Sequence, residues 1–291
     1  MKRTFRSASL AVVLLATFLV IPATGQQVGS SFSGADWPMA GGDWTSSRYS
    51  TLDQISTENI DRLGGEWVTR ISGGGSSRSP PAVKDGVIYL TAAASVVAID
   101  GATGDARWQW QAEDPTSGRA PSWQGVGLDD EKVYMGLRSV EVGAISQETG
   151  ELVWATNVGS DPTMAGETVT TAPIVADGKV FVGVANGDSG GQGRIVGLDA
   201  DSGELLWTFH VIPRPGEFGH DSWPQDSDIW EVGGGGVWLV GTVDPELGLV
   251  YFATGNPVPM FGGEIRGGDN LFTAAVLAID METGERRWHF Q

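Results

Sequence analysis

Asp188, in "NGDSGGQG", and Asn256, in "ATGNPVP", carry their oxygens in stretches rich in glycine and proline, and Trp238 follows a run of four glycines in "WEVGGGGVW". A carboxylate, an amide and an indole are groups that hold metal ions, hydrogen-bond partners or flat ligands. Read alone, the first two are turn residues, because Asn-Pro starts turns and Asp suits a Gly-rich turn. Trp238 is a poor core candidate, since it stands in a loop-like stretch. The glycines around Asp188 lack the G-x-G-x-x-G spacing and no helix follows, which excludes a dinucleotide loop. His210, His220 and His289 have no metal-ligand spacing, and no serine sits in a nucleophile motif. The chain has no cysteine, which excludes disulfides, a lipid-anchored cysteine and a c-type haem within it.

The elements that position these residues repeat. "AIDGATGDARW" ends at Trp108, "AISQETGELVW" at Trp154, "GLDADSGELLW" at Trp207 and "AIDMETGERRW" at Trp288, each with glycine four residues before the tryptophan. Apolar residues end one strand, the Asp-x-x-Thr-Gly segment turns, and the chain returns toward a tryptophan expected to pack on a neighbouring repeat. Upstream of each copy lies a second hairpin pattern: "PPAVKDGVIYLTA", "VGLDDEKVYMGL", "APIVADGKVFVGVA" and "GTVDPELGLVYFATG". Two hairpins per unit make a four-stranded blade, so the chain is expected to be all-β, a β-propeller with Trp-containing repeats. His210 to Gly236 reads as an inserted loop, and residues 53–63 as the one helix, with Ser56 or Thr57 as its cap. Trp67 reads as a strand of an earlier blade, and the last copy breaks off at Gln291, so a C-terminal half is expected to follow.

Composition agrees with a turn-rich β protein: 43 glycines and 12 tryptophans, with 41% hydrophobic residues, enough for a sizeable core. Lys2, Arg3 and Arg6 precede an apolar run from Leu10 to Ile21 and the small residues Ala23-Thr24-Gly25, the pattern of a cleaved secretory signal peptide. The run is short for a bilayer span, so the mature chain is expected to have no membrane span and to be periplasmic or secreted. The expected division is 1–25 signal peptide, 26–35 flexible mature N-terminus and 36–291 propeller. A formal charge of −18, more negative once residues 1–25 are removed, makes nucleic acid a poor partner and would attract a cationic electron-transfer protein.

With "DWPMAGGDWTSSRYSTLDQI", "TVTTAP", "WEVGGGGVW", "DPELGLVYFATGNPVP" and "GGDNLFTAAVLAIDMETGERRWHFQ" in this order, residues 36–291 resemble the pyrroloquinoline quinone (PQQ)-dependent alcohol dehydrogenases. The resemblance implies an eight-bladed propeller, of which this chain would be about half. It implies that Trp238 stacks on PQQ, that Thr170 bonds the quinone's carboxylates, and that Gln124, Asn186 and Gly187 line the cofactor. Asn256 would ligate calcium, or another metal ion, together with Asp188, which stands where alcohol-oxidising members carry glutamate. Gln124 replaces a frequent arginine, and the family's common adjacent-cysteine ring is absent. The implied activity is oxidation of an alcohol or sugar hydroxyl, with a cytochrome c-type electron acceptor. The catalytic aspartate is expected beyond Gln291, which would leave the fragment inactive. The rival reading is a non-catalytic propeller acting as an envelope assembly or binding scaffold.

Overall fold

The computed structural model describes residues 34–72, 78–112, 120–160, 166–185, 188 and 190–291. The expected signal peptide, 1–25, lies outside them. The inferred blades are present as four four-stranded antiparallel sheets, each with its strands in sequence order. The first holds β1 (Ala82–Lys84), β2 (Val87–Ala92), β3 (Ser95–Asp100) and β4 (Ala106–Gln111). The second holds β5 (Pro121–Leu128), β6 (Lys132–Leu137), β7 (Glu141–Ser146) and β8 (Leu152–Asn157). The third holds β9 (Ile174–Ala176), β10 (Lys179–Val184), β11 (Arg194–Asp199) and β12 (Leu205–His210). The fourth holds β13 (Thr242–Asp244), β14 (Leu249–Ala253), β15 (Val276–Asp280) and β16 (Arg286–Phe290).

The second and third strands of a blade are covered on both faces, which explains their near-continuous apolar runs, whereas the outermost strands β4, β8 and β16 expose half or more of their residues and bury none. Apolar clusters fill each space between consecutive blades, and the largest, between the third and fourth, takes in Met39, Trp223 and Val237 from outside the blades.

Each turn copy works the same way. Asp100, Asp199 and Asp280 accept backbone N–H groups of the following turn, and all three carboxyls lie below the usual range, Asp100 and Asp280 first through the guanidinium of Arg107 or Arg287 and Asp199 first through Ser202 N–H. A register shift follows in the pairing of the third and fourth strands of every blade, opposite the tryptophan. The indole then docks on the next repeat: Trp67 Nε1 donates to Gly101 O, Trp108 to Gln147 O, Trp154 to Ala200 O and Trp207 to Met281 O. Each ring lies over the next turn's glycine so closely that a Cβ on Gly104, Gly150, Gly203 or Gly284 would stand 2.5–2.7 Å from it. Trp67 docks in this way without being part of a sheet.

The N-terminal stretch is a strap across the first strand of every blade. Trp37 exchanges both backbone bonds with Val83, Leu128 N–H donates to Pro38, Trp44 Nε1 to Val175 O, and Val243 N–H to Trp44 O. The helix expected over 53–63 is absent apart from one 3-10 turn at Ile60–Arg62 with no side-chain cap. Asn59 instead accepts from Ser56 N–H and donates to Gln54 O, competing with helix bonds, and Leu52, Ile55, Ile60 and Leu63 are all more than half exposed, so no apolar face is buried.

Candidate functional site

The insertion after β12 is organised by Trp223, which is buried and donates its indole N–H to Leu271 O. Two 3-10 turns, His220–Ser222 and Ile229–Val232, then deliver the chain to the four glycines. That glycine segment is a backbone bridge between the third and fourth blades. On one side Gly234 donates to Gly191 O and accepts from Gly193 N–H, at 3.0 and 2.8 Å, and Val237 N–H reaches Val184 O at 3.1 Å. On the other, Gly235 donates to Asn256 O and Gly236 accepts from Gly255, both at 2.9 Å.

Glycine is required here for two reasons. Gly234 has φ of 82°, and its Cβ would lie 2.7 Å from Val258 Cγ2; a Cβ on Gly193 would lie 1.9 Å from Gly235 O. Only bare backbones approach so closely, and their hydrogen bonds satisfy both neighbours.

Trp238 leaves this bridge with its side chain 51% exposed, unlike the docked repeat tryptophans. Its backbone carbonyl is the focus of two side chains singled out from the sequence: Gln124 Nε2 donates to it at 2.6 Å and Thr170 Oγ1 at 3.3 Å. Thr170 is itself buried, and its carbonyl accepts from the Ser122 hydroxyl. Trp238, Gln124 and Thr170 therefore form one wall built by the second blade, the segment leading into the third, and the end of the insertion. Asn256 borders it: its carbonyl bonds Gly235, its amide nitrogen donates to Pro257 O, and a Cβ on Gly255 would be 3.7 Å from Trp238 Cδ1.

Asp188 is exposed, in the loop between β10 and β11 whose far end pairs with Gly234. Asn186 and Gly187 lie outside the described residues. Among the described residues no group of three or more His, Asp or Glu is gathered as a metal site. His210 and His289 are both shifted toward neutrality, mainly by burial and then by neighbouring arginines, Arg214 and Arg286 respectively. Two cavities, of about 400 and 570 Å³, open elsewhere, one beside Trp44 and Lys132 and one beside Phe272 and Arg286. No helix among the described residues is long and apolar enough to cross a membrane.

Sequence reading missed Ser122, the Trp238 carbonyl as the focus of the wall, and a buried ion pair elsewhere on the third blade between Glu167 and Arg194 at 2.7 Å. None has a local signature, since all act through partners far along the chain.

Comparison with known proteins agrees with this architecture. The family described as glucose/ethanol/alcohol dehydrogenase, beta-propeller domain (PQQ) matches residues 37–291. Quinohemoprotein alcohol dehydrogenase of Comamonas testosteroni is 36% identical over 282 residues, covering 88% of this chain and 39% of that protein. Quinoprotein alcohol dehydrogenase PedH of Pseudomonas putida is 34% identical over 267 residues, covering 84% of this chain and 44% of that protein. The crystal structure of the Comamonas enzyme superposes with a TM-score of 0.80 at 33% identity, over 88% of this chain and 41% of that one. A europium-containing methanol dehydrogenase superposes at 0.78 with 28% identity, over 89% of this chain and 49% of that one. The chain thus spans less than half the length of these relatives. With its matched blades and tryptophan-docked turns, it belongs to the PQQ β-propeller family of glucose, ethanol and alcohol dehydrogenases.

Proposed function

We propose that this chain forms the cofactor seat of a PQQ-dependent enzyme that oxidises an alcohol or sugar hydroxyl. The observation that carries the reading is the half-exposed indole of Trp238, standing on a carbonyl held by Gln124 and Thr170. An exposed aromatic face on a hydrogen-bonded backbone, flanked by polar side chains, fits a flat, multiply acidic quinone.

Trp238 would stack on the quinone. Gln124 and Thr170 would fix the height of that indole, and Gln124's amide would stand in for the guanidinium many members place against the cofactor's acids. Asn186 and Gly187 would line the same edge. Asp188 and Asn256 would supply a carboxylate and an amide oxygen to calcium, or to another oxygen-seeking ion. Such a quinone would supply a hydride acceptor, and such a cation a Lewis acid beside it. The chain's own residues bind, orient and shield that group. No described carboxylate is assigned as the base that takes the hydroxyl proton. The leader at 1–25 supports export to the periplasm, where a cytochrome c-type protein would be a suitable electron acceptor for an acidic surface.

Titration of the purified chain with PQQ and Ca²⁺, followed by tryptophan fluorescence and equilibrium dialysis, tests the seat. Trp238→Ala is expected to weaken binding roughly thirtyfold, about 2 kcal/mol for a central aromatic anchor. A folded wild-type chain that retains no PQQ refutes the reading and favours a non-catalytic scaffold.

A further inference from the structure

We propose that the buried Glu167–Arg194 pair is a positioning device for the Trp238 wall, resting on the cofactor-seat reading above. Both side chains are almost fully buried, 0% and 4% exposed, whereas each other ion pair among the described residues leaves at least one partner a quarter or more exposed. Glu167 Oε1 accepts from Arg194 Nη2 at 2.7 Å and from Ser160 Oγ at 2.8 Å, while Oε2 accepts from Ser160 N–H at 2.9 Å.

The two partners grip different supports of the same wall. Glu167 adjoins Thr168, which exchanges both backbone bonds with Ala185, and lies three residues before Thr170, whose hydroxyl meets the Trp238 carbonyl. Arg194 follows Gly193, which donates to Gly234, and stands opposite Val184, whose carbonyl accepts from Val237 N–H. Closing the pair therefore ties the hydroxyl under Trp238 to the edge on which its strand is hung.

Stability alone does not account for such a pair, because a buried ion pair seldom outperforms apolar residues of the same volume. Arg194 Nε is in addition buried with no hydrogen-bond partner, so the site is not optimised for satisfaction. What the pair does provide is a fixed side-chain distance between two segments that otherwise meet through the Thr168–Ala185 backbone pair.

The test uses the full chain labelled with fluorotryptophan, with the Trp238 fluorine resonance assigned through Trp238→Phe. Glu167→Gln keeps the volume but presents an amide N–H to one of its donors, and Arg194→Lys keeps the charge but loses the fork. Each is expected to retain the wild-type circular dichroism, to shift or broaden the Trp238 resonance without moving those of Trp108 or Trp154, and to raise the Kd for PQQ with Ca²⁺ about tenfold. An unchanged Trp238 resonance in either folded variant overturns the proposal, as does unfolding of both, which makes the pair a folding element only. The resonance is read without cofactor, so a wild-type chain that fails to bind PQQ sinks the cofactor-seat reading and leaves this comparison intact.

Discussion

Replacing Gly193 by alanine probes the glycine bridge most directly. The added Cβ would stand 1.9 Å from Gly235 O, 2.6 Å from Gly235 C and 3.0 Å from Gly236 Cα. All three obstacles are backbone, so no rotamer change relieves them, and the bridge has to retreat by about 1.5 Å to reach ordinary contact. Such overpacking costs about 1–3 kcal/mol. The retreat also loosens the Gly193–Gly234 and Gly234–Gly191 hydrogen bonds, each worth about 1 kcal/mol. The expected loss is about 3–4 kcal/mol, or about 5–7 °C in Tm for a chain of this size. Gly178→Ala is the matched control: its φ of 68° penalises a side chain by about 1–2 kcal/mol, but its Cβ would meet nothing within 4 Å. Urea denaturation of the two variants, with PQQ titration of each, decides the matter. Gly193→Ala should be the less stable and should bind the quinone more weakly, while Gly178→Ala should bind as wild type. If the two lose equal stability, the close approach is not what demands glycine at 193.

Three further outcomes follow from the repeat chemistry. Ser146 stands where the other turns have aspartate and accepts only Thr149 N–H, so Ser146→Asp should add a turn bond and raise the urea midpoint, by about 0.5–1 kcal/mol; a lower midpoint would mean the second turn is shaped differently. Asp280, held at about 2 against an ordinary 3.8 by Arg287 and then by Thr283 N–H, contributes stability that is complete above its unfolded pKa and disappears as pH falls through about 2. Thermal melts of Asp280→Asn against wild type should therefore differ at pH 6 and converge as acid is added, and a gap that widens on acidification would contradict the assignment. Trp108→Phe and Trp154→Phe both remove an indole donor, but Ala200 O keeps the Tyr134 hydroxyl as a second donor whereas among the described residues Gln147 O has only Trp108, so the Trp108 variant should lose more, by about 1 kcal/mol in denaturant titration.

The blades were legible because their information is local. An eleven-residue turn copy contains its own aspartate, glycine and tryptophan, and the hairpin before it announces itself by alternation. The recurrent register shift left no such mark, since it depends on how the third and fourth strands pair. The strap was invisible for a related reason: Trp44 meets Val175 across 131 residues, and nothing in "DWPMAGGDW" names its partners. The expected helix over 53–63 failed where a weak local preference met side chains that bond their own backbone and an apolar set that is left exposed.

The candidate site was legible in its residue types and not in its construction. Trp238 could be singled out because four glycines precede it, yet its surroundings come from Gln124 at a separation of 114 residues and Thr170 at 68. What joins them is one backbone carbonyl, that of Trp238, to which both side chains donate. Once the glycines let three loops lie against one another, carbonyl and amide groups satisfy each other across the gap, and few side-chain atoms are needed beneath the indole. A seat made this way couples its supports, so a change at Gly193 or Glu167 is expected to reach Trp238 through the bonds of Gly234, Val237 and Thr170. The residues that hold such a seat are then more numerous than those that face its ligand, and a reading by motif recovers only the latter.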